Sequence, residues 1–325
     1  MSRILVIGGA GYIGSHVARA FLDRGDEVTV FDNLSSGCRE NLFGNAAFVR
    51  GDILDYPLLS NTMRSGFDAI IHLAALKAAG ESMTAPEKYS VNNISGTINL
   101  LNAASETRIP CIVFSSSAAV YGAPKYVPVD EEHPTEPINY YGFTKLEIER
   151  FLAWYEQLRG IRFAALRYFN AAGYDLAGRI KGLEKNPQNL LPIVMEVAAG
   201  MRPSLSIFGD DYDTEDGTGV RDYIHVSDLA AGHLLAFDHI LKHNESITVN
   251  LGSEKGISVK SMLATARRIT GHAIPATVVG RRPGDAAVML ASSEKAGKVL
   301  GWKAHSSSCE TLVQSTWNVY KDHLK

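Results

Sequence analysis

The chain has few of the features that would take it out of a reducing, aqueous compartment. It carries three cysteines, Cys38, Cys111 and Cys309. They are far apart and odd in number, which argues against a disulfide framework and against a metal site, and points to reduced thiols in a cytoplasm. No apolar run approaches the ~18 residues of a membrane span. The first apolar run, Ile4 to Ile7, stops at Gly8 and reads as too short for a signal peptide. The net charge of -3 argues against nucleic acid as the main partner. There is no repeat and no low-complexity segment. What remains is an ordinary globular composition, 46% hydrophobic over 325 residues, enough for one large or two ordinary domains.

Short apolar stretches alternate with helical patterns over the first two-thirds. Strands are expected at Arg3–Ile7, Glu27–Phe31, Ala47–Arg50, Ala69–Leu73, Cys111–Phe114 and Arg162–Arg167, each bounded by Gly, Pro, Asp or Ser. Helices are expected at Ile13–Arg24, Tyr89–Glu106 and Tyr140–Arg159. This alternation predicts an α/β fold with a doubly wound parallel sheet and right-handed crossovers. After about Phe169 the texture changes. A Gly/Pro/Asn-rich stretch runs from Ala171 to Gln188, and Gly209–Arg221 reads as an acidic loop. A smaller, mixed α/β C-terminal lobe is expected there. Ser227 is expected to cap a helix running to about Leu241, and a strand at Ile247–Asn250 is expected to rejoin the first sheet. The expected division is 1–169 plus roughly 222–250 against 170–221 plus roughly 251–325.

Gly8-Gly9-Ala10-Gly11-Tyr12-Ile13-Gly14 follows the first strand and opens the first helix. Glycines let the backbone turn tightly and approach a pyrophosphate, and the helix N-terminus offers it free amides. The run satisfies both G-x-G-x-x-G and G-x-x-G-x-x-G. It therefore indicates a dinucleotide without choosing an enzyme group. Asp32 ends the second strand. A carboxylate there accepts hydrogen bonds from the ribose hydroxyls of NAD and repels the extra phosphate of NADP. Asp52, after Gly51, is placed to meet the adenine amine, although Gly-Asp is also ordinary turn chemistry.

Tyr141 and Lys145 are four residues apart, on one face of a helix. A phenol normally titrates near ~10. A cation beside it favours the phenolate, which can then serve as a general base. Tyr121 and Lys125 share the spacing, but Pro124 between them argues against a helix. Ser115-Ser116-Ser117 follows the fifth strand, where ligands of such sheets sit. A serine there and Tyr141 could grip one substrate hydroxyl together.

With these residues in view, the chain resembles the extended short-chain dehydrogenase/reductase family and, within it, the UDP-hexose 4-epimerases. The matching stretches are GGAGYIGSH from Gly8, FDNLSSG from Phe31, HLAALKAAGESM from His72 and NNISGT from Asn92. FSSSAAVYG from Phe114, YYGFTK from Tyr140 and LRYFNAAG from Leu166 follow. The second lobe adds IFGDDYDTEDGTGVRDYIHVSDLA from Ile207 and RRPGD from Arg281. The likeness covers nearly the whole length, and the long second-lobe stretch is its most specific part.

The resemblance implies a Rossmann-like domain with tightly bound NAD, a cytoplasmic homodimer pairing through Tyr89–Glu106 and Tyr140–Arg159, and no metal. It implies that Tyr141 is catalytic base and acid, that Ser117 is its partner on the sugar hydroxyl, and that Lys145 tunes Tyr141 and holds the nicotinamide ribose. It places NAD on Gly8, Gly11, Tyr12, Ile13 and Gly14, on Asp32, Asn33, Asp52 and Ile53, and on Leu73, Ala74, Ala75, Lys77 and Asn92. Ser115, Tyr141, Lys145 and Tyr168 complete that set. The UDP-sugar would meet Lys77, Ser117, Tyr141, Asn170, Asn189, Leu190, Phe208, Arg221, Arg282, Asp285 and Met289. The two arginines suit the two phosphate charges of a UDP-sugar, because guanidinium offers fixed, multiple donors. The implied reaction interconverts UDP-glucose and UDP-galactose through a 4-keto sugar.

The runners-up differ at definite places. Related dehydratases and decarboxylases resemble the chain in its first domain but carry an acid in the stretch after the fifth strand. Ser117-Ala118-Ala119-Val120-Tyr121-Gly122 has none. A simple oxidoreductase would release its cofactor each turnover. A non-catalytic NAD-sensing scaffold would have no use for Tyr141, Lys145 and Ser117. Met289 occupies the position that guards the sugar's carbon 2 in such proteins. Methionine is intermediate in size and flexible, so N-acetylated UDP-sugars stay open as an alternative. Ile7 stands where relatives usually have Thr, and Tyr140 where many have Pro.

Overall fold

Apolar strands with no polar face need cover on both sides, and parallel sheets flanked by helices supply it. The computed structural model describes residues 1–282 and 284–324. Its strands are β1 Arg3–Ile7, β2 Glu27–Asp32, β3 Ala47–Arg50, β4 Ala69–His72, β5 Cys111–Ser117, β6 Arg162–Tyr168, β7 Asn170–Ala172, β8 Leu205–Phe208, β9 Val220–His225, β10 Ile247–Leu251, β11 Gly256–Ser258, β12 Ala276–Val279 and β13 Val288–Met289. Seven of them form one parallel sheet in the order β10-β6-β5-β4-β1-β2-β3. This is the expected doubly wound, Rossmann-like architecture. The chain runs outward from β1 to β3, then crosses to β4 on the other side of β1. The crevice between β1 and β4, beyond the carboxyl ends of the strands, is where such folds bind ligands.

β5 runs three residues further than expected, to Ser117, because β6 continues beside it: Ser115, Ser116 and Ser117 pair with Leu166, Arg167 and Tyr168. The three serines therefore belong to the strand and not to a following loop. The Tyr140–Arg159 helix has the expected bounds. Asn139 caps it, its side chain accepting the Gly142 amide at 2.8 Å, and Gly160 ends it in the left-handed conformation that glycine adopts freely. The expected Tyr89–Glu106 helix is interrupted. A π-helical turn, Ser90–Ser95, separates a short α turn, Pro86–Tyr89, from Gly96–Thr107. The helix Val226–His243 begins one residue before Ser227. Its cap is His225, whose Nδ1 accepts the Ser227 amide at 3.0 Å, so Ser227 does not have the capping role expected of it.

β10 is an outer strand of the main sheet, beside β6. The second lobe centres on β9, which pairs in parallel with β7 and β13 and antiparallel with β11. β8 and β12 form a separate parallel pair. A second core, including Leu191, Met195, Met262, Leu312 and Trp317, lies under the helices Leu190–Ala198, Val259–Thr270 and Cys309–Tyr320. The helix Glu294–Leu300 and Trp302 return to the core of the main sheet. Among the described residues no helix is long and apolar enough to cross a membrane.

Candidate active site

The glycine loop is built by steric demand. Gly8 has φ +85, and a Cβ on it would lie 2.7 Å from the Ala74 nitrogen. A Cβ on Gly14 would lie 2.1 Å from the Gly8 carbonyl oxygen. Neither backbone atom can yield without moving the strand or the helix. The helix Tyr12–Arg24 starts with Gly11 as its cap, which offers no side chain to the first-turn amides. Those amides and the positive end of the helix dipole are left for an anion. Asp32 is buried, and its two oxygens accept the Ala10 and Leu34 amides at 3.0 and 2.7 Å. Burial raises its carboxyl above the ordinary range while those amides pull it down. Each carboxylate oxygen keeps a further lone pair for a ribose hydroxyl.

A cavity of about 550 Å³ opens from this loop along the carboxyl ends of the strands. It is lined by Gly8, Gly11, Tyr12, Ile13, Gly14, Asp32, Asn33, Ile53, Leu73, Ala74, Ala75, Lys77 and Asn92. Ser115, Ser117, Tyr141, Lys145, Tyr168, Asn170 and Asn189 line the same space. Asp52 does not. Its carboxylate accepts the Asn33 side-chain amide at 2.8 Å and the Leu54 backbone amide at 2.9 Å. It thus positions Asn33, which does face the cavity.

At the far end, Lys145 donates to the Ser115 carbonyl at 2.6 Å. Its nitrogen lies 4.7 Å from the centre of the Phe114 ring and 5.9 Å from that of Tyr141. Burial lowers its ammonium to about 7, and Glu149 opposes that shift. Burial lifts the Tyr141 phenol to about 12, while hydrogen bonding with Ser117 works the other way. Enclosure favours the uncharged form of both groups and so opposes the pull that the sequence reading ascribes to Lys145. Tyr168 shares a hydrogen bond with Ser115, and both line the cavity with Tyr141. The Tyr141 amide donates to Ser82 Oγ at 3.0 Å.

The π turn has a visible purpose. Asn93 Oδ1 accepts the Leu76 amide at 2.8 Å, and Asn93 Nδ2 donates to the Leu76 carbonyl at 3.0 Å. Asn92 donates to Asn93 Oδ1 at 2.9 Å. The wider turn brings two adjacent asparagines to the loop after β4, the kind of position where such turns recur. Asn93, Ser82, Glu184 and Glu149 were not singled out from sequence. The doubled Asn in NNISGT and the Glu one turn after Lys145 were the available signals. Lys77 forms an ion pair with Glu184 across the cavity mouth, and nothing in the sequence links those two positions.

The remaining substrate-side residues form a second cluster that does not line this cavity. Arg221 Nη2 lies 3.0 Å from Asp285 Oδ1, and the Arg282 guanidinium stacks 3.8 Å above the Phe208 ring. Met289 pairs with Arg221 in the sheet and packs against the small core formed by Ala118, Val120, Tyr121, Val129 and Leu146, which includes the segment following Ser117. Asn170 Nδ2 donates to the Asp222 carbonyl at 3.0 Å and so joins the cluster to the cavity. Leu190 opens the helix Leu190–Ala198 and packs on the second core. Pro283 of the RRPGD motif lies outside the described residues. Tyr140, in place of proline, bonds Ser90 Oγ at 2.6 Å and stacks on Phe143, away from the reacting end.

Residues 4–252 match the NAD dependent epimerase/dehydratase family. The chain belongs to that family. It is an enzyme of the NAD-dependent epimerase class, and NAD is its cofactor, which the glycine loop and Asp32 fit. It is 48% identical over 98% of its length to 96% of the UDP-glucose 4-epimerase of Halalkalibacterium halodurans. Its fold matches a UDP-glucose 4-epimerase from Brucella ovis in complex with NAD, with a TM-score of 0.96, 40% identity and 99% of each chain covered. It also matches the UDP-Glc/GlcNAc 4-epimerase from Campylobacter jejuni, with a TM-score of 0.87, 37% identity, and 99% of this chain and 100% of that one covered.

Proposed function

We propose that this epimerase-family member interconverts UDP-glucose and UDP-galactose by inversion at carbon 4. The observation that carries this reading is that Ser117, Tyr141 and Lys145 face the same cavity as the dinucleotide loop. Tyr141 takes and returns the proton of the 4-hydroxyl, with Ser117 sharing that hydroxyl. Lys145 supplies positive charge and a donor beside them. NAD, held by the glycine loop and Asp32, would supply the hydride acceptor and donor for carbon 4. Arg221 and Arg282 take the two phosphates, so substrate binding exchanges their contacts with Asp285 and Phe208 for contacts with the diphosphate.

Elimination chemistry is disfavoured. Ser117 to Gly122 contains no acid, and Ser117 Oγ caps the short turn Ala118–Val120 by accepting the Ala119 amide. The carboxylates lining the cavity, Asp32, Glu81 and Glu184, are each engaged with backbone amides, Lys88 and Tyr89, or Lys77. A dual preference that includes the N-acetylated pair is the second reading. It is favoured by the intermediate size of Met289 and by the likeness to the Campylobacter enzyme. We assign 1–169 and roughly 226–251, with the helix Glu294–Leu300 and Trp302, to the NAD domain and the rest to a substrate lobe; the boundary expected near 222 moves because β9 pairs with β7, β11 and β13. We further assign a cytoplasmic homodimer. Its supports are three free thiols and a stripe of exposed Phe143, Trp154 and Leu158 on the Tyr140–Arg159 helix, beside exposed Val91.

Incubation of the purified protein with UDP-galactose and no added cofactor tests the reading. Conversion to UDP-glucose is expected, NAD or NADH is expected in the denatured supernatant, and Tyr141→Phe is expected to lower kcat by about 10²–10⁴-fold. No conversion by cofactor-loaded protein would sink the assignment. Product analysis with UDP-GlcNAc decides the sugar: equal or better use of it would overturn the preference for plain hexoses.

A further inference from the structure

A buried carboxylate lies directly behind the reacting end and takes no part in the chemistry described so far. Glu149 is one helical turn beyond Lys145 and two beyond Tyr141, on the same face. It is 8% exposed. Both its oxygens are occupied: Oε1 by the Ser116 hydroxyl at 2.5 Å and Arg167 Nε at 3.0 Å, and Oε2 by Arg167 Nη2 at 2.6 Å. Arg167 Nη1 donates on to the Tyr121 hydroxyl at 3.1 Å, and that hydroxyl donates to Asn250 Oδ1 at 2.7 Å.

The network's position gives it meaning. Ser116 lies between Ser115, whose carbonyl holds Lys145, and Ser117, the partner of Tyr141. Arg167 is the sheet partner of Ser116. Tyr121 closes the segment that follows Ser117. One carboxylate therefore ties the helix bearing the base to the strand bearing its partner. A buried ion pair is poor evidence of added stability, because desolvation offsets most of its attraction. Its place beside the strand that bears Ser117 points to another role.

We propose that Glu149, locked by Arg167 and Ser116, is a positioning residue that keeps Lys145 charged and holds Ser115–Ser117 in register with Tyr141. Lys145 is faced by Tyr141 and Glu149 from its own helix, by His72 from β4, and by Tyr168 from β6 through Ser115. Arg167 is turned onto Glu149. His72 is neutral, since burial pushes its imidazole down to about 3. Glu149 is thus the one fixed negative charge among these neighbours, and it opposes the fall that burial imposes on Lys145. The inference rests on reading Lys145 as the ammonium beside the catalytic base.

The test is an NMR titration of the holoenzyme carrying lysine labelled with ¹³C at Cε, the Lys145 signal being assigned from Lys145→Arg. In Glu149→Gln the Lys145 midpoint is expected to drop by about one pH unit. The alkaline limb of kcat for UDP-galactose should drop with it, so that kcat at pH 8 falls roughly tenfold with KM little changed. Ser116→Ala, which keeps the charge, should lower kcat without moving the limb. If Glu149→Gln does not fold, Glu149→Leu/Arg167→Met is expected to fold, since apolar replacement of a buried pair is tolerated, and should still lower the midpoint, because Glu149 and not Arg167 is the charge acting on Lys145. An unmoved Lys145 midpoint in whichever variant folds overturns the proposal, even if thermal stability falls. The titration reads Lys145 directly, so this inference and the epimerase reading fail separately: a protein inactive on UDP-galactose would still show or lack the shift.

Discussion

On the proposed reading the nucleotide loop and the Arg221–Arg282 cluster both receive phosphates, but they are built in opposite ways. The loop is backbone, fixed by contacts such as Gly14 against the Gly8 carbonyl, and it is complete before anything binds. The cluster is side chain: Arg221 rests on Asp285 and Arg282 on Phe208. A rigid cradle suits a group retained through every cycle. Exchangeable contacts suit a substrate that must leave. Gly8 and Gly14 should therefore tolerate no side chain, while the cluster should lose affinity one contact at a time.

The largest expected effect strikes the cradle. Gly14→Ala drives a methyl into the Gly8 carbonyl, and the first helix must shift. Purified protein is expected to carry little NAD, and activity without added cofactor is expected to fall by at least about 10²-fold, as small misplacements at reacting centres do. Mass spectrometry of the denatured supernatant reads the first effect directly. A variant that still carries one NAD per chain would break the contrast.

A smaller effect is expected in the cluster. Arg221→Ala removes one charge-assisted contact to a phosphate, worth about 1.5–3 kcal/mol. KM for UDP-galactose should rise roughly ten- to hundredfold by the same measure, with retained NAD unchanged. Loss of cofactor in this variant would show that the two sites are coupled and not independently built.

The same contrast explains what could be read from sequence. A loop made by steric demand leaves glycines at fixed spacing, so the first sheet, the cradle and the Tyr141–Lys145 face were all legible. β1 and β3 have the expected bounds because their apolar runs end at glycines or charges. β5 was read short because Ser115–Ser117 look like a loop, and only the continuing β6 ladder makes them strand. β7, β11 and β13 have two or three residues each. Their pairing with β9 depends on residues up to roughly seventy positions away in the chain, and no local pattern carries that. Arg221 and Arg282 were named through family resemblance and their charge, while their present partners follow from tertiary packing alone. For Tyr141 the spacing reveals a neighbouring cation but not the depth of burial that opposes it.

The smallest effect lies where the two regions meet. Tyr12, from the cradle, donates its hydroxyl to the Gly173 carbonyl, and His16 Nε2 accepts the Asp175 amide at 2.9 Å. On the far side, His225 Nε2 bonds Ser315 at 3.1 Å. Burial holds His16 and His225 neutral, each lowered to about 4. In the unfolded chain both would titrate near ~6.5. Between those values the unfolded state binds more protons, so stability increases with pH across the window. It is full above about 6.5 and is lost as pH falls toward about 4. His233, on the helix Val226–His243, and His72, at the end of β4, are both buried; they are lowered to about 4 and about 3 and add to the same slope. Thermal melts of the holoenzyme from pH 7.5 to 5 should show a falling Tm. His16→Gln, which keeps an acceptor for the Asp175 amide, should make that fall shallower while leaving Tm at pH 7.5 nearly unchanged. An unchanged slope would mean that the seam does not hold the regions together in acid. A second, lower-melting transition at pH 5 would mean that they part before either unfolds, which is the outcome expected if the seam contributes less than each core does.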